Sequence, residues 1–272
     1  MVFSLVVPIG FSVYYSFTDS TGLGDYQNVG FENYRTILTD DPVFWRSLRN
    51  VVLLIVVTIF VQNPIAFVLA AVLSRLSARL SRVLRTIYFV PAVLSLVIVA
   101  KLWVDVFNPT FGILNKVLHA VGLGALATSW LSNPSTALGA VLWIITWQGF
   151  GWAVFFYYAG LMTVPRDLEE AARIDGASGF QLYVRVIIPH LFPVIATVIV
   201  IDVISSMKQM ELIYLTTAGA PGQLTQFLAL YLYQKAFVAG EYGYGNAVSV
   251  LFVVISVGFT LIVQRAMRAR LR

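Results

Sequence analysis

The 272-residue sequence has no cysteine, two histidines and few charges, with 11% Asp, Glu, Lys and Arg against 59% hydrophobic residues. Without cysteine there are no disulfides, thiol nucleophiles or thiolate-held metals. His119 and His190 lie far apart, each flanking an apolar block, and no histidine-rich or Glu–His metal pattern occurs. No G-x-x-x-x-G-K-[ST] stretch is present, so the chain lacks the loop that cradles nucleotide phosphates. A soluble domain carries about 25% charged residues, and so few charges do not cover a water-facing surface.

What is abundant is long apolar sequence. A bilayer core needs roughly 20 apolar residues per helix, and several blocks reach that length. The weak ten-residue alternation of a membrane β-barrel is missing. The expected fold is therefore all-α: a polytopic transmembrane helical bundle of about six spans in one domain, residues 1–272. The spacing predicts spans over about 1–17, 48–73, 84–107, 136–161, 190–212 and 246–263. The first is short. It lacks the basic lead and cleavage site of a signal peptide, and is expected to be a true span that has lost its cytoplasmic lead-in. A short helix is expected near Phe31 to Leu38.

The net charge of +5 raises nucleic acid as a partner, but its distribution points to topology instead. Arg75, Arg79, Arg82 and Arg85 crowd the loop between spans two and three with no acid among them, and the tail from Arg265 to Arg272 carries four arginines. Both regions, and the loop between spans four and five, agree on a cytoplasmic location and a cytoplasmic C-terminus.

That last loop, 165–189, reads PRDLEEAARIDGASGFQLYVRVIIP. Pro165 suits a first helical turn, and Asp167, Glu169 and Glu170 suit the positive end of the helix dipole. Glu169 precedes Arg173 by four residues, the favoured order for a helical ion pair. Gly176 ends the helix, and Ser178 with Gln181 forms a capping box for the next one. An amphipathic helix lying on lipid is the alternative, but its acidic face would be repelled by anionic headgroups. A docking element for a protein partner fits better.

Polar residues inside the spans form a second set. Asp202, Ser205, Ser206 and Gln209 follow i, i+3, i+4, i+7 spacing, one face of span five. Gln148, Gly149 and Trp152 lie near mid-depth in span four. A carboxylate at mid-bilayer needs a partner or a wet cavity, while serine and glutamine also serve as helix–helix seams. Indole faces suit the C–H faces of sugar rings and Gln supplies directed hydrogen bonds. Gln62-Asn63-Pro64 is expected to kink span two as a gating or packing device rather than bind ligand. Lys208 with Glu211, and Lys101 with Asp105, are expected as ion pairs or snorkelling residues.

Glu170-Ala171-Ala172, Gly176 three residues on, and Val186-Ile187-Ile188-Pro189 after nine more resemble the EAA loop of permeases in ABC importers. Ser16 to Asp19, Phe31 to Leu38, Asn108-Pro109 and Thr216 to Gly222 extend the likeness over nearly the whole chain, most similar to the carbohydrate-uptake, maltose-transporter-like branch. The family's usual Gly-Gly-Pro reads Gly219-Ala220-Pro221 here. The resemblance implies a type I permease fold in a bacterial or archaeal cytoplasmic membrane. It implies assembly with a second homologous permease, two ATPase subunits and an extracytoplasmic solute-binding protein. ATP and Mg would sit on the ATPase, with no cofactor or catalysis on this chain. Glu170, Ala171, Ala172, Asp175 and Gly176 are then the coupling residues. Gln148, Gly149, Trp152, Asp202, Ser205, Ser206 and Gln209 are the sugar-pathway candidates. A secondary transporter coupling an ion at Asp202, or a permease for a polyol phosphate, are the competing readings.

Overall fold

A computed structural model describes residues 2–268. Apart from one isolated bridge between Thr18 and Asn28, the regular structure among the described residues is helical. Six apolar stretches form helices in the order the sequence predicts, but two depart from simple spans. Helix α1 (Val2–Tyr15) is short. A surface helix α2 (Glu32–Thr39) follows close to its expected place. Helix α3 (Pro42–Arg75) crosses the bundle as one 34-residue element, starting earlier than the hydropathy alone suggested. Its start is set by Asp41, whose carboxylate accepts from the backbone N–H groups of Val43 and Phe44 while Pro42 occupies the first turn.

Span three is not continuous. Helices α4 (Ala78–Val93) and α5 (Leu96–Val106) meet at 97°. Pro91 lies in the last turn of α4, and Leu94 and Ser95 adopt extended backbone, so the ladder stops there. Helix α6 (Ile113–Ala120) lies in the following loop, and α7 (Ala137–Leu161) is a full span as expected. After α8 (Arg166–Ile174), helix α9 runs from Gly179 to Met207. It begins and ends earlier than 190–212, because Lys208 caps it and Glu211–Thr216 forms a separate helix, α10. Helix α11 (Leu228–Tyr233) and α12 (Tyr242–Arg268) complete the bundle. The tail residues 269–272, half of the predicted basic terminus by sequence, lie outside the described residues.

By length and composition α3, α7, α9 and α12 can each cross a membrane, with α4 and α5 as a broken fifth crossing. Lipid tails are as apolar as leucine, so these helices associate through close packing rather than hydrophobic transfer. At the end of the bundle that carries α8, fully buried Ala66 and Ala70 of α3 face Ala153, Val154 and Tyr157 of α7. Gly151 lets α4 approach α7: a Cβ there would collide with the Tyr88 carbonyl oxygen. At the opposite end the segment after α10, whose Thr, Gly and Pro residues read as loop, folds inward. Asn50 donates to the carbonyls of Leu224 and Gln226, both at 2.8 Å, and Phe227, Leu228 and Tyr231 are buried against α3 and α12. Tyr231 and Tyr244 both donate to the Asp41 carboxylate. Burial alone would raise this carboxyl's pKa, but the two hydroxyls and two backbone donors outweigh it and hold the group below the ordinary 3.8.

Two spans share one device. In α3 the helix widens into a π-turn over Thr58–Gln62, two residues before Pro64; in α9 it does so over Tyr183–Ile187, two residues before Pro189. Proline lacks the N–H that would continue the ladder, and the wide turn re-registers the hydrogen bonds around that gap without breaking the helix.

Candidate functional site

Two places combine exposed or buried polar chemistry with defined geometry. The first is α8 and the turn after it. Pro165 sits in extended conformation immediately before the helix. The chain leaves through Gly176, whose φ of +83° is open to glycine and strained for other residues. The Ala177 N–H closes on the Ala172 carbonyl at 2.9 Å, sealing the helix end. The capping box then forms in full: the Gln181 N–H donates to Ser178 Oγ at 3.3 Å, and Gln181 Oε1 accepts from the Ser178 N–H at 2.9 Å.

Helix α8 is two-faced. Ala172 packs into the core cluster shared by α3, α7 and α9. Glu170, Ala171, Asp175 and Gly176 are exposed. The ion pair expected between Glu169 and Arg173 is not formed; Glu169 instead meets Arg75 at 2.8 Å, because that guanidinium arrives from the end of α3 on the helix's inner side. Sequence reasoning also missed Ile174 (85% exposed), next to Asp175, and Phe180 (79%), in the first turn of α9, two large apolar side chains presented outward.

The second place is a cavity of about 410 Å³ between α3, α7 and α9. All seven pathway candidates line it: Gln148, Gly149 and Trp152 from α7, and Asp202, Ser205, Ser206 and Gln209 from α9 and its end. Gln209 lies just past the last turn, so it reaches the cavity from the helix terminus rather than as a fourth member of a helical face. Gln62 of α3, read from sequence as part of a gating or packing kink rather than a ligand site, lines the same cavity. A Cβ at Gly149 would touch only Gln62 Nε2 at 3.6 Å, so Gly149 leaves room at the cavity, whereas the close helix approach lies at Gly151. Trp152 is 45% exposed and stands edge-on to Phe89 at 5.1 Å between ring centres.

Asp202 is held from behind. Asn63 Nδ2 donates to its carboxylate at 2.7 Å and to the Thr58 carbonyl of the π-turn at 2.9 Å, while Asn63 Oδ1 accepts from the buried Tyr157 hydroxyl at 2.7 Å. One amide thus joins α3, α7 and α9 through three hydrogen bonds, with both of its N–H donors used. Among the described residues, Lys101 and Asp105 pair at 2.8 Å as expected, whereas no ion pair joins Lys208 and Glu211, which are separated by the end of α9. No cluster of three metal-ligating side chains occurs among the described residues.

Residues 62–272 match the family described as binding-protein-dependent transport system inner membrane component. The chain is 35% identical to the xylose/arabinose import permease protein XacH of Haloferax volcanii, over 92% of this chain and 78% of that protein. It is 30% identical to the trehalose/maltose transport system permease protein MalF of Thermococcus litoralis, over 93% of this chain and 84% of that one. A chain in the crystal structure of a bacterial alginate ABC transporter, solved in complex with an alginate pentasaccharide-bound periplasmic protein, has the same fold. The TM-score is 0.85 and the identity 21%, covering 100% of this chain and 90% of that one.

Proposed function

This chain belongs to the family of binding-protein-dependent transport system inner membrane components, and from that premise we propose that it forms half of the translocation pathway of an ATP-driven importer for sugars. The observation that carries the reading is α8: a capped, outward-facing helix whose Glu170, Ala171 and Gly176 sit at EAA spacing beside exposed Ile174 and Phe180. An acid flanked by small residues and two apolar anchors suits a cleft on an ATPase subunit, with charge giving orientation and apolar contact giving affinity. In this reading α8 and the C-terminus are cytoplasmic, and a second homologous permease closes the pathway. Two ATPase subunits carry ATP and Mg, a solute-binding protein delivers substrate, and this chain performs no catalysis.

A sugar suits the cavity because its wall combines an indole, three glutamines and two serines, the mixture of flat apolar face and directed polar groups that binds pyranose rings. The same wall holds no lysine or arginine, which disfavours a polyol phosphate. Ion coupling at Asp202 is disfavoured by its engagement with Asn63. The test is uptake of a panel of labelled saccharides into proteoliposomes containing the reconstituted complex. ATP-dependent accumulation of a neutral mono- or oligosaccharide is expected. Accumulation driven by an ion gradient without ATP, or confined to phosphorylated solutes, would overturn the reading.

A further inference from the structure

Helix α8 is fastened to the bundle by more than the chain that continues into α9. Arg75, the last residue of α3, reaches Glu169 of α8 at 2.8 Å through Nη2. Its Nε donates to the Tyr183 hydroxyl of α9 at 3.3 Å, and the guanidinium lies 5.8 Å from the centre of that ring. One planar fork therefore holds three elements, a geometry that a lysine point charge does not reproduce. Glu169 and Glu170 are neighbours in sequence but stand about 100° apart around the helix, from 3.6 residues per turn. Glu170 faces outward while Glu169 turns back to Arg75.

From Arg75 the helix runs unbroken to Asn63 and Gln62, a distance of about 18–20 Å at 1.5 Å per residue. Those two residues are where α3 meets the cavity: Gln62 lines it and Asn63 grips Asp202 and Tyr157. Gln62 is also the last residue of the π-turn Thr58–Gln62, where the ladder is already re-registered and bending is easiest. The stretch from Arg75 to Pro64 is thus a rigid arm with a fastening at one end, the cavity wall at the other, and a compliant turn behind it.

We propose that Arg75 is a positioning residue that ties α8 to α3, so that movement of α8 is delivered to Gln62 and Asn63 at the cavity. The assignment rests on the reading of α8 as the ATPase-docking helix. In it the two acids divide the work: Glu170 engages the partner, and Glu169 hands the displacement to the span.

The experiment uses the complete reconstituted complex with Arg75→Glu, Glu169→Arg, the exchanged pair Arg75→Glu/Glu169→Arg, and Arg75→Lys, beside Glu170→Lys as a control that leaves the Arg75 contact intact. Assembly, binding-protein-stimulated ATP hydrolysis and solute moved per ATP are measured. Each single reversal is expected to assemble and hydrolyse ATP while moving about tenfold less solute per ATP, a factor corresponding to 1.4 kcal/mol. The exchanged pair is expected to recover to within about threefold of the parent on the same scale, which a merely structural contact to Tyr183 would not do. Arg75→Lys, which keeps the charge and folds most readily, is expected to fall between. Unchanged solute per ATP in the single reversals, or an exchanged pair no better than either, overturns the proposal. If the reversals fail to assemble, recovery by the exchanged pair and the intermediate value of Arg75→Lys decide it in the same way. Normal stimulation in Glu170→Lys defeats the docking reading itself, whereas a dead Glu170→Lys beside fully coupled Arg75→Glu defeats the Arg75 assignment alone.

Discussion

Helix α8 and the cavity are built by opposite means. The helix is defined by bonds reaching no further than a few residues: a proline before it, a left-handed glycine after it, and a capping box opening the next element. Its outer face, with Glu170, Ala171 and Asp175, is exposed. The cavity has hardly any local definition. Its wall comes from three spans, and its carboxylate is oriented by Asn63, 139 positions away in sequence. The contrast teaches that the helix can keep its shape through changes inside the bundle, while the cavity depends on how the spans pack. The Arg75–Glu169 contact is where the two constructions meet.

The sharpest way to break this comparison is Glu170→Lys. A reversed charge in a docking contact costs on the order of 2–5 kcal/mol, so stimulated ATP hydrolysis should fall about thirtyfold or more while the bundle stays folded. Full stimulation would mean that α8 is not the receiving element. Next comes Trp152→Ala with Gln209→Ala, expected to raise the transport KM about tenfold through lost stacking and hydrogen bonding at the cavity. A fall in expression alone would assign both residues to packing. Asn63→Leu should lower the unfolding free energy in detergent by about 1–3 kcal/mol, by leaving Asp202 and Tyr157 without partners. Asn63→Leu combined with Asp202→Leu should recover part of that loss, and equal damage in the double variant would show that the amide is not holding the carboxylate.

The smallest effect is acid stability at the opposite end of the bundle. Asp41 has a carboxyl pKa below 3.8 in the fold, so its contribution is present above that value and is lost as pH falls through the lower folded value. Asp41→Asn should therefore flatten the acid limb of the melting profile below about pH 4, where the unfolded aspartate titrates. A parallel downward shift at every pH would instead mean that the cap, and not the charge, matters.

Much of the fold was legible because its signals are local or repetitive. Long apolar blocks cannot remain in water, and the bilayer leaves helices as their form. The boundaries failed where one residue redirected the chain: Pro91 and Ser95 broke span three, and Lys208 ended α9 before hydropathy did. The inward fold of 217–238 was invisible because its Gly, Pro and Thr read as loop, while its anchors Asn50 and Asp41 lie far upstream. At α8, the face that points outward was readable from Glu170, Ala171 and Gly176. The inner face was misread, since Glu169 had an equally good local partner in Arg173 and only packing brought Arg75 nearer.

By itself, then, the sequence determined a helical membrane protein, the glycine stop of α8, the capping box that opens α9 and the spacing of the exposed acid and glycine, because each follows from hydrogen bonds and hydropathy within about ten residues. The tertiary structure alone decided that Gln62 joins seven residues of two other spans around one cavity, that Gly151 rather than Gly149 sets the helix approach, and that Asp202 is held by Asn63. These are contacts between segments scores of residues apart, and spacing along one helix carries no information about which neighbour will face it.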